Sequence, residues 1–578
     1  MKTIYAFILF MLFASNISAQ EYIQYSAHKM QNEYFDSLAK FAPEDYKALT
    51  ESKIKLQKNK DNSTLQKHVF GWHPYWENGS EQNYQWNLLS ELSYFSYEVD
   101  PVTGYPLDIH NWKTANVIDS AQANGVKVNL CVTLFNEHES FFASAAAQQN
   151  LIDSLLTLVQ YRNADGINID FEGVPASEKD NFTNFLVNIS DQFHTNIPGS
   201  QVSIALYAVD WSGVFDIPVL KDYLDLFIIM GYGYYWKGSS YAGPTGQLFT
   251  FYNFNYNISR SINTYLNAGI PKEKLLCGVP YYGYEWKTSG ENVPSSTTAN
   301  GTSRTIKKIK DNSAGYYNTP LLNENSMSNY YTYYSGGNWH QAWVDDETTM
   351  KYKYDLIQQR DIGGIGIWAL GYDDGYTEMW DLIRDRFSDN SVTPCQYTIW
   401  DMGGPKRNYY NNEDYTFTIA PDNVSLLSLD FSEFSLESGY DSLWVYDGID
   451  TNAELIGGYS GTTSPGFVEA SNNALTLKFH SDGATVRSGW KADWNCSPVN
   501  IENISENNMK VYPNPANTFC TVSGIIPDKA QIIDINGKLL KQYNYENTLK
   551  VSYLPNGIYF LKIISGNKIY IKKLIIQH

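Results

Sequence analysis

Asp165, Asn168, Asp170 and Glu172 fall within eight consecutive residues, Asp165-Gly166-Ile167-Asn168-Ile169-Asp170-Phe171-Glu172. Apolar and polar residues alternate with period two, so the segment predicts a strand. Asn168, Asp170 and Glu172 share one face, and Ile167, Ile169 and Phe171 the other. At about 3.3 Å rise per residue, neighbouring side chains on the polar face stand roughly 6–7 Å apart. An ordinary edge strand with a solvated acidic face is the alternative, and the aliphatic flanks argue against it. Two carboxyls side by side in a core-like setting do not both ionise easily, and one is pushed towards its neutral form. A carboxyl that stays protonated near neutral pH can act as a general acid.

Such residues need a rigid frame. From His68 to about Ser388, apolar runs are separated by helix-like stretches, the texture of repeated βα units. Eight strands are predicted: Val69–His73, Leu92–Val99, Val126–Leu134, Gly166–Glu172, Gln201–Val209, Leu224–Gly231, Leu275–Tyr281 and Ile365–Leu370. That number over this length fits an α/β fold, a (β/α)8 TIM barrel with insertions. Chemistry in that fold sits at the C-terminal ends of the strands, where Glu172 falls.

The eight-residue segment resembles the D-x-x-D-x-D-x-E signature of the family 18 glycoside hydrolases, with Asn168 where Asp is usual. The resemblance implies that Glu172 is the acid/base and that Asp170 orients the substrate's 2-acetamido group. The carbonyl oxygen of that group attacks the anomeric carbon, so no protein nucleophile is needed. It also implies that Asn168 is a hydrogen-bond partner of Asp170. Met230-Gly231-Tyr232-Gly233 is similar to the family's M-x-Y-D, which gives Tyr232 the acetamido carbonyl and leaves Gly233 where Asp is usual. Gly278-Val279-Pro280-Tyr281-Tyr282-Gly283 resembles its G-x-P-x-Y-G, and Trp368 takes the place of the aromatic floor beneath the sugar. Eleven of the fifteen tryptophans lie in this region, and sugar rings pack on flat aromatic faces; Trp72, Trp236 and Trp286 are further candidates for the cleft wall.

The formal charge of −20 argues against nucleic acid and anionic membrane surfaces as partners, whereas a neutral polysaccharide is not repelled. Residues 1–19 read as a signal peptide: Lys2, the apolar run Ile4 to Ala14, and Ile17-Ser18-Ala19 before Gln20. That run is too short to span a bilayer, and no later stretch is long enough. Residues 20–67 are polar and charged, with Lys53, Lys55, Lys58 and Lys60 close together, and predict a solvated helix or flexible leader without chemistry. Of five cysteines, Cys131 and Cys277 sit in apolar runs as buried thiols, Cys395 and Cys496 can pair in an oxidising compartment, and Cys520 is left over.

After the barrel the texture changes to strands and turns, predicting two β-sandwich domains. Residues 395–496 resemble a CUB domain in Phe431 to Glu437, Asp441 to Gly448, Phe479 to Gly483 and Gly489-Trp490. In calcium-binding members acidic side chains supply the ligands, which would map to Glu437, Asp441 and Asp482; solvated turn carboxylates explain them equally well. Residues 509–578 resemble the C-terminal sorting domain of type IX secretion in Val511 to Ala516, Ile532 to Lys538 and Leu554 to Tyr559. The resemblances together imply a protein secreted or attached to the cell surface, read by the type IX export machinery. Its implied activity is that of a retaining glycosidase on β-1,4-linked N-acetylglucosamine, chitin or chito-oligosaccharides, with no catalytic cofactor. Peptidoglycan, N-glycan cores and a non-catalytic sugar-binding role are the alternatives.

Overall fold

The computed structural model describes residues 26–41, 63–389, 396–421, 424–498, 510–524, 527–534, 538–565 and 568–578. The predicted signal peptide, the lysines at 53–60 and Cys395 lie outside them. Eight parallel strands form the centre: β1 (His68–Pro74), β2 (Glu91–Val99), β3 (Lys127–Leu134), β4 (Gly166–Phe171), β5 (Gln201–Leu206), β6 (Leu226–Met230), β7 (Leu275–Pro280) and β8 (Gly364–Trp368). Consecutive strands pair, and β1 pairs with both β2 and β8, so the barrel is closed. These are the eight strands that the apolar runs predict.

All six residues of β4 are buried, yet its two faces meet different surroundings. Phe171 points outwards and stacks between Phe182 and Phe185 of the helix Lys179–Asn196, with ring centroids 5.9 and 5.7 Å away. Asn168 and Asp170 therefore point into the lumen, as the two-residue alternation requires. Gly166 opens the strand because a Cβ there would stand 1.9 Å from the Gln201 carbonyl oxygen of β5.

Between β7 and β8 the chain adds a five-stranded antiparallel sheet, with Tyr282–Thr288 paired to Thr302–Thr305 and to Asn338–Trp343. The CUB-like region folds as two four-stranded antiparallel sheets around a core that includes Leu443, Phe479 and Trp490. It abuts the barrel helix Glu347–Arg360, where the Arg360 guanidinium lies 3.9 Å from the ring centre of Tyr415. The last region is a three-stranded and a four-stranded sheet with its own core, including Val522, Ile532 and Leu561. Cys496 is disulfide-bonded, whereas Cys131, Cys277 and Cys520 are buried free thiols.

The expectation of a solvated leader is overturned for its described part. Helix α1 (Ala27–Phe41) docks on the barrel, and Ser26, Ala27, His28, Gln31 and Asn32 are buried. Positions 28, 31, 32 and 35 follow the three-and-four spacing of one helix face. That face is mostly polar, so a search for apolar periodicity reads it as solvated.

Candidate functional site

Glu172 directly follows β4, and its backbone N–H donates to the Leu134 carbonyl of β3 at 3.0 Å, extending the ladder one residue past the strand. Its carboxyl and that of Asp170 thus stand at the C-terminal mouth of the barrel, both buried. Burial, and next the neighbouring Asp170 charge, hold the Glu172 carboxyl well above the usual carboxylate range, against the opposing effects of Ser26 and Lys29.

Tyr232 lies just beyond β6 and is 5 % exposed. The next residue, Gly233, has φ +85° and donates its N–H to Thr245 Oγ1 at 3.1 Å. An Asp at this position would be strained in that left-handed conformation, which suits the glycine found there. Trp368 ends β8 and is fully buried, 6.1 Å from Trp72 and 5.0 Å from Phe95 between ring centroids.

Asn168 departs from the expected arrangement. Its Nδ2 donates to Ser203 Oγ at 2.9 Å, and its Oδ1 accepts from Trp72 Nε1 at 2.8 Å and from the Cys131 thiol. Two residues before Asp170 on the same face, it sits a layer deeper in the lumen and is spent on Trp72 and Ser203 instead of Asp170. Trp72 thereby belongs to the lumen network. Trp286 is placed elsewhere: it lies in the inserted sheet, donates to the Lys237 carbonyl at 3.0 Å, and reaches Tyr232 through the rings of Tyr284 and Tyr282. Trp236 is half-buried in the segment after β6, its backbone N–H donating to Ser239 Oγ at 2.9 Å.

The residue that pattern reading missed is His28 of α1. Its Nδ1 lies 2.6 Å from Asp170 Oδ2 and 3.7 Å from Glu172 Oε1, and its Nε2 lies 2.8 Å from the Tyr232 hydroxyl. The imidazole stacks on Trp368 at 3.6 Å between centroids and 28° between planes. Ser26 donates its hydroxyl to Glu172 Oε1, and Gln31 Oε1 accepts from Trp368 Nε1 at 3.1 Å and from the Tyr372 hydroxyl. The helical spacing of a polar stripe carrying one histidine was the available signal.

In the CUB-like domain, Glu437, Asp441 and Asp482 bring one carboxylate oxygen each to within 4.8 Å of one another. Asp441 is fully buried; its Oδ1 accepts the Asp482 N–H at 2.9 Å and its Oδ2 accepts the Tyr409 hydroxyl.

The closed (β/α)8 barrel carries two buried carboxyls at its C-terminal mouth, and the family model that matches it makes the protein a glycoside hydrolase. The chain belongs to the glycosyl hydrolases family 18, whose family model matches residues 45–373. A CUB domain matches 389–494, and a secretion system C-terminal sorting domain matches 510–577, which marks the protein as secreted or attached to the cell surface. Among similar proteins is the cortical fragment-lytic enzyme of Bacillus anthracis, 21% identical over 317 residues, covering 52% of this chain and 69% of that protein. Another is the di-N-acetylchitobiase of Homo sapiens, 27% identical over 285 residues, covering 43% and 69%. In fold, the barrel is similar to a GH18 chitinase from Cycas revoluta, a mutant in complex with (GlcNAc)4, with TM-score 0.50 and 17% identity over 55% of this chain and 99% of that one. No helix among the described residues is long and apolar enough to cross a membrane.

Proposed function

We propose that the protein is a retaining glycosidase that cleaves β-1,4-linked N-acetylglucosamine, as in chitin or chito-oligosaccharides, by substrate assistance. The observation that carries this reading is the convergence of Glu172, Asp170, Tyr232 and Trp368 at one mouth of the barrel. Glu172, kept protonated by burial beside Asp170, gives its proton to the departing glycosidic oxygen. The acetamido carbonyl oxygen of the substrate then bonds to the anomeric carbon as the glycosidic bond breaks. Asp170 accepts the acetamido N–H and stabilises the positive charge that develops on the ring so formed. Tyr232 donates its hydroxyl to the acetamido oxygen and aligns it for attack. Glu172, now a carboxylate, takes a proton from the water that opens the intermediate, so configuration at the anomeric carbon is retained. Trp368 offers its face to the sugar ring.

Peptidoglycan is the second reading, since its glycan strand also carries N-acetylglucosamine, the sugar whose acetamido group this mechanism uses. Incubation of the wild type and Glu172→Gln with N-acetylglucosamine hexamer and with soluble peptidoglycan strands, followed by mass spectrometry, tests both. Shorter oligomers from the wild type alone, with kcat in the variant down by about a thousandfold or more, are the expected result. Turnover by the variant at the wild-type rate would remove Glu172 from the mechanism.

For the CUB domain we propose calcium held by Glu437, Asp441 and Asp482. Three converging hard oxygens suit that ion, and Asp441 is fixed in place by Tyr409 and the Asp482 N–H. Catalysis itself is assigned to protein and substrate groups alone.

A further inference from the structure

We infer that helix α1 is an intramolecular inhibitor: residues 26–36 occupy the sugar-binding cleft, with His28 standing where the N-acetylated sugar must sit. This rests on the function proposed above. The imidazole engages the three groups assigned to the substrate at once. Asp170 Oδ2, which the acetamido N–H would use, is 2.6 Å from Nδ1, and the Tyr232 hydroxyl, which the acetamido oxygen would use, is 2.8 Å from Nε2. The face of Trp368 is covered by the same ring at 3.6 Å. Ser26 bonds the carboxyl of Glu172, at the position of the glycosidic oxygen. Substrate and helix therefore cannot be bound together.

Contacts beyond the reaction centre hold the helix along the cleft. Phe35 stacks on Trp76 at 4.4 Å and 10°. Asn32 donates to Glu98 at 2.6 Å, Tyr75 donates to Asp36 at 2.9 Å, and Lys29 donates to Asn136 at 2.6 Å. A helix whose only task was to stabilise the barrel would present apolar side chains to it, because buried polar groups give little net gain even when paired. Here the inward side chains are mostly polar, Ser26, His28, Gln31, Asn32 and Asp36, beside the apolar Ala27, Met30 and Phe35. That is the chemistry of a carbohydrate: hydrogen-bonding groups in register with those of the cleft, and flat faces for its tryptophans. Because α1 is covalently joined to the barrel, it competes at an effective concentration in the millimolar range, and a short oligosaccharide at lower concentration loses to it.

The test uses the full chain. His28→Ala removes the substrate-like group, Phe35→Ala removes the peripheral stack, and the double variant combines them. kcat/KM on N-acetylglucosamine hexamer is expected to rise at least tenfold in the double variant, with each single variant in between. Adding Glu172→Gln to the double variant should abolish that gain. Equal kcat/KM in wild type and double variant overturns the inference and leaves the function standing. Hydrogen exchange read by mass spectrometry supplies a readout without turnover: amides of 27–36 should be protected in the wild type and lose protection in the double variant. If no form turns over hexamer or peptidoglycan strands, the proposed function falls, and exchange alone decides the occlusion. Unprotected amides over 27–36 in the wild type would overturn it.

Discussion

The barrel and the CUB domain each gather acidic side chains in a buried or half-buried setting, and they resolve the resulting repulsion differently. In the barrel, burial and the neighbouring Asp170 charge drive the Glu172 carboxyl towards its protonated form, against the opposing hydrogen bond from Ser26. In the CUB domain, Glu437, Asp441 and Asp482 converge with no ion pair to a basic side chain among the described residues, and Asp441 is fixed by a hydroxyl and a backbone N–H. The first arrangement keeps a proton and suits acid catalysis. The second keeps its oxygens free of a cationic partner and suits a cation. Equal residue types thus do different chemistry according to their burial and the charges beside them.

The sharpest way to break this comparison is to remove one carboxylate from each site. Asp170→Asn keeps the shape but loses the charge that stabilises the cyclic intermediate, and kcat on hexamer should drop by about two to three orders of magnitude. Measured alongside, Asp441→Asn should leave turnover within error of wild type. Calcium should raise the Tm of the full-length wild type over that in EDTA, and Asp441→Asn should erase the difference. A calcium-dependent Tm that survives Asp441→Asn, or a turnover loss in that variant matching Asp170→Asn, would show that the two sites are not separated in this way.

A second pair extends the comparison to stability. Asp373 in the barrel and Asp401 in the CUB domain are both buried, and burial, as the leading cause in each, pushes both carboxyls up to about 7. A raised folded-state pKa means that the native protein binds the proton more tightly than the unfolded chain. The associated stability is complete below the unfolded pKa of 3.8 and is lost as pH rises through about 7. Each group gives a slope of at most about 1.4 kcal/mol per pH unit in that window. Gly403 and Trp490 donate their N–H groups to Asp401 Oδ1 and Oδ2 at 2.8 Å each; Asp401→Asn keeps an oxygen for one of them and no longer titrates. Urea midpoints of the CUB transition between pH 4.5 and 7.5 should fall in the wild type and flatten in the variant. A fall of the same size in both would take Asp401 out of the account.

What could be read from the sequence follows the same division between apolar and polar signals. The eight barrel strands were legible because long apolar runs have few other uses, and the mouth carboxyls because two-residue alternation fixes which way Asp170 and Glu172 point. Helix α1 was not, since its inward face is mostly polar, with Ser26, His28, Gln31 and Asn32 beside Ala27, Met30 and Phe35, and polar residues at helical spacing look solvated unless the partner surface is known. Trp286 illustrates the converse. Its type suited a cleft, but the inserted sheet carrying it turns it towards Lys237. The sheet itself, between β7 and β8, leaves no mark in the barrel's period beyond extra length.

Asn168 gives the finest test, because it separates position along the strand from role. Its neighbour on the same face, Asp170, meets His28 at the barrel mouth, whereas Asn168 is bonded to Trp72 and Ser203. Asn168→Ala would leave the indole N–H and the serine hydroxyl without this partner in a buried lumen, at a cost of about 1–3 kcal/mol in stability. Turnover should change less than tenfold, through small displacement of Trp72 beneath the cleft. Urea unfolding and kcat on hexamer, measured on the same preparation, check both halves. A kcat loss as large as that of Asp170→Asn, with stability unchanged, would return Asn168 to direct support of the reacting group. The ordering along β4 would then be one continuous catalytic face instead of a catalytic end on a structural stem.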